Sequence, residues 1–290
     1  MSVIAIGNFD GVHKGHALVL KNAVKAAQES NTKSIVLTFN EHPRNVLSKK
    51  TTIKYLTDNE YKEKLIKAFG INEVEFIDFN ESFAEQTSTE FIKFLKDSYD
   101  CTTVVCGSNF KFGKKAVYNT ESLKVETKKQ GLNVIITDMV VNGLVISSTE
   151  IRGLIENGDI TTANKLLDRD FSISGLVVHG KHLGSTIGFP TINQFIPESF
   201  IIPRIGVYAT YAEINGRHFK GVTNVGHRPT VDSTDSAINV ETHLLDNNED
   251  YYGKDIRVFF IKRIRDEIKF NSLDLLKKQL TLDCEYVRKI

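Results

Sequence analysis

The segment that most constrains this chain is an apolar run that passes into a turn rich in glycine and histidine, IAIGNFDGVHKGH at residues 4–16. The apolar run predicts a β-strand that ends at Gly7, and the residues after the turn favour a helix over 17–29. Such a strand, turn and helix start bring free backbone N–H groups to the positive end of a helix dipole. The segment is therefore suited to binding an anion such as phosphate.

Two histidines in this segment, His13 and His16, are spaced so that they share one face of the first helical turn. The simplest interpretation is that they cap the helix or lie on the surface. The segment lacks the glutamate of an H-E-x-x-H zinc helix, and it matches neither the Walker loop nor the G-x-G-x-x-G of dinucleotide-binding folds. The H-x-G-H pattern that remains is typical of nucleotidyltransferases.

The composition limits the classes of partner. The 290 residues are 41% hydrophobic and 25% charged, enough for two ordinary domains, and the net charge of +1 does not favour nucleic acid. The N-terminus has no basic leader, and no run approaches the ~18 apolar residues of a membrane span. Cys101, Cys106 and Cys284 form neither a metal spacing nor an even disulfide set. We expect a cytoplasmic protein without nucleic-acid or membrane partners and with cysteines that serve packing; its oligomeric state stays open.

The first half of the chain alternates apolar runs of strand length with helical patterns, which predicts an α/β fold with a parallel sheet covered on both faces. Ligands on such sheets bind at the carboxyl ends of the strands, where residues 7–16 would lie. The expected strands are 34–39, 74–79, 103–106 and 133–138, and the expected helices are 18–28, 60–68, 88–96 and 121–130.

The pattern changes after Ser148. Residues 150–167 indicate a helix or a helix pair, and a final helix is expected over 272–286, with Leu273, Leu276 and Leu280 packing in the core. Between them, short strands with glycine and proline predict a small all-β barrel. These strands are expected at 172–178, 207–214, 218–225, 239–245 and 255–264. We place two domains at 1–167 and 168–290.

Further motifs follow in order along the chain. They are TFNEHPR at 38–44, FKFG at 110–113, ISSTEIR at 146–152, GFPTIN at 188–193, GVYA at 206–209, NVGHRPT at 224–230 and VETH at 240–243. With residues 7–16, they resemble the prokaryotic bifunctional riboflavin kinase/FMN adenylyltransferase family, also called FAD synthetase, over nearly the whole chain. The resemblance implies a Rossmann-like nucleotidyltransferase domain, then a riboflavin kinase barrel with a C-terminal helix.

The resemblance implies that the N-terminal domain transfers AMP from ATP to FMN, giving FAD and pyrophosphate. Such a transfer needs no covalent enzyme intermediate, so catalysis is positioning and neutralisation of charge, here assigned to His13 and His16. Contacts to ATP and its phosphates are expected from Gly7, Asn8, Asp10, Gly11, Gly15, Ser147, Ser148, Thr149 and Arg152. Contacts to the flavin are expected from His42, Pro43, Arg44, Asn109, Phe110 and Phe112.

Some of these residues have a second interpretation. Asn8 and Asp10 either hold the turn or assist with Mg²⁺. The hydroxyl residues at 147–149 precede a helix and alone would be N-caps, whereas beside the histidine motif they suit the β- and γ-phosphates, which Arg152 would clamp.

The second half implies a second site, which phosphorylates riboflavin with ATP. Nucleotide contacts are expected from Gly188, Pro190, Thr191 and Asn193. The Thr191 hydroxyl and the Asn193 carbonyl are hard oxygen ligands that suit Mg²⁺. Glu241 matches the family's catalytic carboxylate, which accepts the proton of the riboflavin 5′-hydroxyl. Taken alone, the P-T-x-N segment would be a turn and the strand glutamate a solvated side chain.

Several positions depart from the family pattern. Ser185 replaces an arginine near the expected nucleotide phosphates. The loss of a charge-assisted hydrogen bond costs ~1.5–3 kcal/mol, which weakens the kinase by roughly one to two powers of ten. Lys181 or His182 could compensate for this loss. Asp168 replaces a glycine at the domain junction. Near the flavin segments, the departures are Glu41, Asn109, Tyr118 and Asn119.

Three hypotheses follow for the function. The first is a bifunctional enzyme with ATP, riboflavin, FMN and FAD as ligands and Mg²⁺ as the cofactor of ATP. The second is a monofunctional FMN adenylyltransferase with a weak or inactive kinase barrel. The third, of another class, is a flavin- or nucleotide-binding regulator without turnover.

Overall fold

The computed structural model describes residues 1–50, 52–141, 143–180, 183–227 and 238–290. Lys181 and His182, and residues 228–230 of the NVGHRPT motif, lie outside the described residues. The chain divides into two compact units, Met1–Ser148 and Thr149–Ile290. No helix in the described ranges combines the length and apolar character needed to cross a membrane.

The first unit contains a five-stranded parallel sheet with the strand order β3-β2-β1-β4-β5. Its strands are β1 (Ser2–Ile6), β2 (Lys33–Phe39), β3 (Glu73–Ile77), β4 (Cys101–Gly107) and β5 (Asn133–Thr137), followed by a small hairpin of β6 (Val140–Val141) and β7 (Leu144–Val145). The helices between them are α1 (Lys14–Glu29), α2 (Pro43–Ser48), α3 (Asn59–Lys67), α4 (Glu81–Ala84), α5 (Ser88–Tyr99) and α6 (Thr120–Lys129).

Both faces of the central strand β1 are buried, which explains why its sequence is apolar without alternation. Val3 and Ala5 pack in a cluster with residues of α1 and α3. Ile4 and Ile6 point to the other face and pack with residues of α5 and α6. The expectation of a parallel sheet covered on both faces is therefore confirmed.

The second unit begins with the expected helix pair, α7 (Ser148–Asn157, its first residue counted with the first unit) and α8 (Ile160–Leu167). A closed six-stranded barrel with the order β10-β11-β12-β9-β8-β13 follows. Its elements are β8 (Phe171–Val178), α9 (Leu183–Thr186), β9 (Ile192–Phe195), β10 (Gly206–Ile214), β11 (Arg217–His227), β12 (Ile238–Leu244) and β13 (Asp255–Arg265), and the chain then forms α10 (Leu273–Arg288). The expected barrel with a C-terminal helix is confirmed.

The core contacts of α10 differ from the expectation. Leu273 is 54% exposed, and Leu276 and Leu280 are only half-buried. Cys284 and Val287, near the end of the helix, pack against the barrel instead. The prediction that these leucines are core residues is wrong for Leu273, because the helix meets the barrel at its C-terminal half.

The three cysteines serve packing, as expected. Cys101, Cys106 and Cys284 are free and buried. Burial raises the pKa of Cys101 and of Cys106 to about 12, so these thiols stay protonated at neutral pH.

Candidate active sites

The loop between β1 and α1 lies at the carboxyl edge of the parallel sheet and has an unusual backbone. Phe9, Gly11 and Val12 have φ angles of 48°, 81° and 37°. Glycine adopts this left-handed region readily, whereas phenylalanine and valine do so at a cost. Both side chains are buried in the core, at 1% and 3% exposure, and this packing holds the loop in its strained shape.

Asp10 holds this loop in place through the hydrogen bonds of its carboxylate and of its backbone carbonyl. Its buried carboxylate accepts the backbone N–H of Leu56 at 3.0 Å and that of Thr57 at 3.3 Å. The Ser148 hydroxyl donates to the backbone carbonyl of Asp10 at 2.9 Å. Of the two roles considered for Asp10, the geometry favours holding the turn.

The two histidines stack at the start of α1. Their ring centroids are 3.7 Å apart with an interplanar angle of 17°. His13 is buried and caps the helix, because its Nδ1 accepts the backbone N–H of His16 at 3.3 Å. A neutral His13 ring therefore carries its proton on Nε2. The helix begins at Lys14, three residues before the expected start, since the cap is His13 itself.

Gly15 has a packing role beside these rings. A Cβ atom at this position would lie 3.1 Å from Nδ1 and Cε1 of His13 and 3.1 Å from Cβ of Met139. The glycine thus leaves room for the His13 ring. Gly7 is similar, since an added Cβ would lie 3.3 Å from the ring of Phe9.

His42 brings the H-P-R segment to the same edge. Its Nε2 lies 3.3 Å from Nδ2 of Asn8, and its Nδ1 accepts the backbone N–H of Arg44 at 3.2 Å, which caps α2. The Tyr55 hydroxyl accepts the backbone N–H of His42 at 3.0 Å. Pro43 is the first residue of α2, and Arg44 is exposed.

The aromatic segment after β4 is divided between core and surface. Phe110 and Phe112 stack with centroids 5.5 Å apart, but Phe112 is 8% exposed and belongs to the core, while Phe110 is half-buried and Asn109 exposed. The departures at 118 and 119 have structural roles, since Tyr118 packs on the Phe112 ring and Asn119 caps α6.

Ser147 and Ser148, in the first unit, are half-buried. Thr149 and Arg152 lie in the first turns of α7 and belong to the second unit. Thr149 is exposed, and Arg152 is half-buried.

Lys62 is a buried cation in the first unit that sequence reasoning missed. It is 6% exposed, its Nζ donates to the backbone carbonyl of Phe39 at 3.1 Å, and it lies 5.0 Å from the ring centroid of Phe76. Burial lowers the pKa of Lys62 to about 8, although the charges of Asp10 and Asp58 oppose this shift. The sequence of α3 does not indicate that Lys62 is buried, because the residues around its side chain come from distant parts of the chain.

Glu241 lies on β12 between two asparagines of neighbouring strands. It pairs with Asn193 of β9 on one side and with Asn224 of β11 on the other. Val240 and Thr242, its neighbours in sequence, are buried, so Glu241 points to the opposite, outer face of the barrel. Asn193 is 8% exposed.

The GFPTIN segment is held against β12. The His243 ring contacts that of Phe189 at 5.3 Å, and its Nδ1 is hydrogen-bonded to the carbonyl oxygen of Pro190 at 2.7 Å. Thr191 is half-buried and Gly188 is exposed, with a φ angle of 88°. The segment that carries Thr191 and Asn193 is therefore fixed beside Glu241.

Two earlier residues shape the approach to this segment. A Cβ atom at Gly180 would overlap the Asn193 amide, and one at Gly184 would overlap the carbonyl oxygen of Phe189. Ser185 is exposed in the short helix α9. The close approach of backbone and amide explains why glycine occupies positions 180 and 184.

The donor atoms beside Glu241 suit a hard cation. Among the described residues, no group of three or more histidine, cysteine, aspartate or glutamate side chains is placed to hold a metal ion. A hydroxyl and an amide carbonyl remain, at Thr191 and Asn193. Mg²⁺ commonly uses one or two protein oxygens together with water and substrate phosphates, so these residues fit it.

The H-x-G-H loop at the edge of a parallel sheet, joined to a closed barrel, defines a two-domain transferase of the nucleotidyltransferase class. Residues 1–150 match the family model of FAD synthetase, and residues 167–290 match that of riboflavin kinase. The chain belongs to the bifunctional riboflavin kinase/FMN adenylyltransferase family.

Proteins of that name are similar to the chain over nearly its full length. The Bacillus subtilis protein is 36% identical over 97% of this chain and 90% of its own length. The Escherichia coli K12 protein is 35% identical over 97% of this chain and 90% of its own length. A crystal structure from Streptococcus pneumoniae, described as a macrolide-efflux protein, has a TM-score of 0.91 at 33% identity and covers 100% of this chain and 94% of that chain.

Proposed function

We propose that this chain converts riboflavin to FMN in its second unit and FMN to FAD in its first, using ATP in both steps. The observation that carries the proposal is that the histidine loop brings polar residues together within the first unit, and the barrel motifs do so within the second. In the first unit Asn8 contacts His42 and His13 stacks on His16, and in the second Glu241 pairs with Asn193 on the neighbouring strand. Family membership over both units supports the same pair of activities.

In the adenylyl transfer, a phosphate oxygen of FMN forms a bond to the α-phosphorus of ATP while the bond to pyrophosphate breaks. Negative charge shifts onto the equatorial oxygens and the leaving group. His13, with its proton on Nε2, and His16 donate to these oxygens, and the loop backbone lies against the phosphates. Asp10 keeps the loop in place, and Ser147 binds the other ATP phosphates.

In the phosphoryl transfer, the riboflavin 5′-hydroxyl gives its proton to Glu241 as its oxygen bonds to the γ-phosphorus, and ADP leaves. Thr191 and Asn193 would hold Mg²⁺ together with the ATP phosphates. The cation, when bound, offsets the charge of those phosphates. FMN and FAD are thus substrate and product rather than resident cofactors.

Binding of the flavin in the adenylyl transfer is assigned to five residues: His42, Pro43, Arg44, Asn109 and Phe110. The buried Phe112 supports Phe110 from behind. We also infer a cytoplasmic location, which three free cysteines support.

Two substitutions test the pair of sites. In His16→Ala, FAD formation from FMN is lost and FMN formation from riboflavin continues; in Glu241→Gln the reverse holds, with a loss of roughly 10²–10⁴-fold. Flavins are separated by chromatography over time. The exposed residues His218 and Glu285 offer the matched controls His218→Ala and Glu285→Gln, which keep both activities. A substitution at either site that removes both activities would contradict two independent centres.

The exposed Ser185 favours a second candidate, a monofunctional FMN adenylyltransferase with a weak or inactive kinase barrel. Its mark is FAD from FMN but no flavin product from riboflavin. The regulator hypothesis finds no support in the curated relatives named above, since both are named as enzymes. Tight flavin binding without pyrophosphate release would favour it.

A further inference from the structure

Asn239 bridges two residues of the barrel site. It lies two positions before Glu241 on β12, so both side chains extend from the same face of the strand. Its Nδ2 is 2.5 Å from Oε1 of Glu241 and 3.3 Å from Oδ1 of Asn193. An amide nitrogen carries two hydrogens, so Asn239 donates one to each acceptor.

We propose that Asn239 is a positioning residue of the kinase site, which fixes the Glu241 carboxylate and the Asn193 amide in one arrangement. This inference rests on the proposed function, because it takes Glu241 as the proton acceptor and Asn193 as the oxygen ligand. Asn239 belongs to none of the sequence motifs that indicated the site.

The chemistry of the amide suits this position. A donor fixed on Oε1 restricts rotation of the Glu241 carboxylate and so orients its oxygens. A neutral amide does this without the full positive charge of lysine or arginine, which would stabilise the carboxylate and weaken it as a base.

The same contact sets the orientation of Asn193. Because Asn239 donates to Oδ1, the carbonyl end of the Asn193 amide is turned towards Asn239, and a carbonyl oxygen has a second lone pair for a cation. Gly180 leaves no room for a Cβ atom against the Asn193 amide, so that side chain is confined from this side as well. Asn239 thus couples the base to the oxygen ligand.

The test compares Asn239→Ala and Asn239→Asp with Asn248→Asp, a control at an exposed position after β12. Steady-state formation of FMN from riboflavin gives kcat and the riboflavin KM separately. We expect kcat to fall about tenfold or more in Asn239→Ala, since a hydrogen bond to a charged group is lost, with KM nearly unchanged. Asn239→Asp falls further, because its carboxylate has no donor for Oε1 and repels the Glu241 carboxylate from its position. The control retains wild-type kcat.

Two further measurements separate a positioning role from a structural one. Adding Asn239→Ala to Glu241→Gln costs less activity than Asn239→Ala costs in the wild type, because the part of its role that acts through Glu241 is already lost. Asn239→Thr, which keeps one donor, recovers part of the kcat lost in Asn239→Ala. Thermal unfolding of each variant identifies loss of fold, and if Asn239→Ala unfolds, the comparison uses the nearly isosteric Asn239→Asp.

The possible failures are distinct. A wild-type chain that makes no FMN from riboflavin overturns the proposed kinase function itself. A wild-type chain that does so, with Glu241→Gln inactive and folded Asn239→Asp at full kcat, overturns only the role of Asn239. An equal loss from Asn239→Ala in the wild-type and Glu241→Gln backgrounds also overturns it.

Discussion

The side-chain amide of Asn8 and the imidazole of His42 lie 3.3 Å apart, although 34 positions separate them in the chain. Asn8 follows β1 and His42 follows β2, and these strands are parallel neighbours. Their carboxyl ends therefore bring both residues, and with them the two motifs, to one edge of the sheet.

This contact predicts coupling between the two residues. Asn8→Ala and His42→Ala each lower kcat/KM for FAD formation by roughly 3- to 10-fold, and the double variant loses less than the product of both effects, because either change breaks the same contact. FMN formation by the barrel in the same samples is the control. Independent, multiplicative losses would show that the contact does not serve the site.

His13 caps α1, and the proposed function also gives it a catalytic role; two variants separate the two roles. His13→Ala removes the N-cap acceptor and lowers the free energy of unfolding by about 1 kcal/mol or more, whereas His13→Asn retains a good cap. Both variants lose FAD formation by roughly 10²-fold, because neither keeps the imidazole N–H donor. Denaturant unfolding and FAD formation are measured together; full activity in His13→Asn would leave His13 as a cap alone.

Lys62 predicts a pH-dependent stability. Its pKa is about 8 in the folded unit and about 10.5 in the unfolded chain, so between these values the unfolded chain binds the proton that the folded chain has released. The free energy of unfolding therefore rises with pH over this window and falls again as pH drops towards 8.

The difference in unfolding free energy between wild type and Lys62→Met isolates this effect. It changes by roughly 3 kcal/mol in favour of wild type between pH 8 and pH 10.5, as measured by denaturant titration. If this difference in unfolding free energy does not change with pH, Lys62 is not a buried lysine with a lowered pKa.

We predict that replacing Ser185 by arginine raises the kinase activity of the barrel. Ser185→Arg places a guanidinium in the exposed α9 segment before the GFPTIN motif and raises kinase kcat/KM for ATP about tenfold through a charge-assisted contact to phosphate. Ser185→Gln, of similar length without charge, is the control, and FAD formation from FMN stays constant. Equal effects of the arginine and glutamine substitutions would show that the positive charge does not cause the gain in kinase activity.

The alternation of apolar runs and the positions of glycine were sufficient to predict the parallel sheet and the H-x-G-H loop, whereas the prediction of the barrel rested more on the family resemblance. The departure at Asp168 is also explained locally. It ends α8 with a φ angle of 60°, a conformation that glycine adopts most easily and aspartate tolerates.

Features that depend on distant residues could not be predicted. The burial of Lys62 and the bridge made by Asn239 arise from neighbours on other elements. Leu273 has helical spacing, yet it is exposed, since the pattern shows an apolar stripe but not which part of it meets the barrel.

The most direct test of the bifunctional account supplies the purified chain with ATP and Mg²⁺, with riboflavin in one tube and FMN in another, and separates the flavins over time. The account predicts FMN and then FAD from riboflavin, and FAD from FMN. FAD from FMN with riboflavin left unchanged would contradict the kinase, and unchanged flavin in both tubes would contradict both activities.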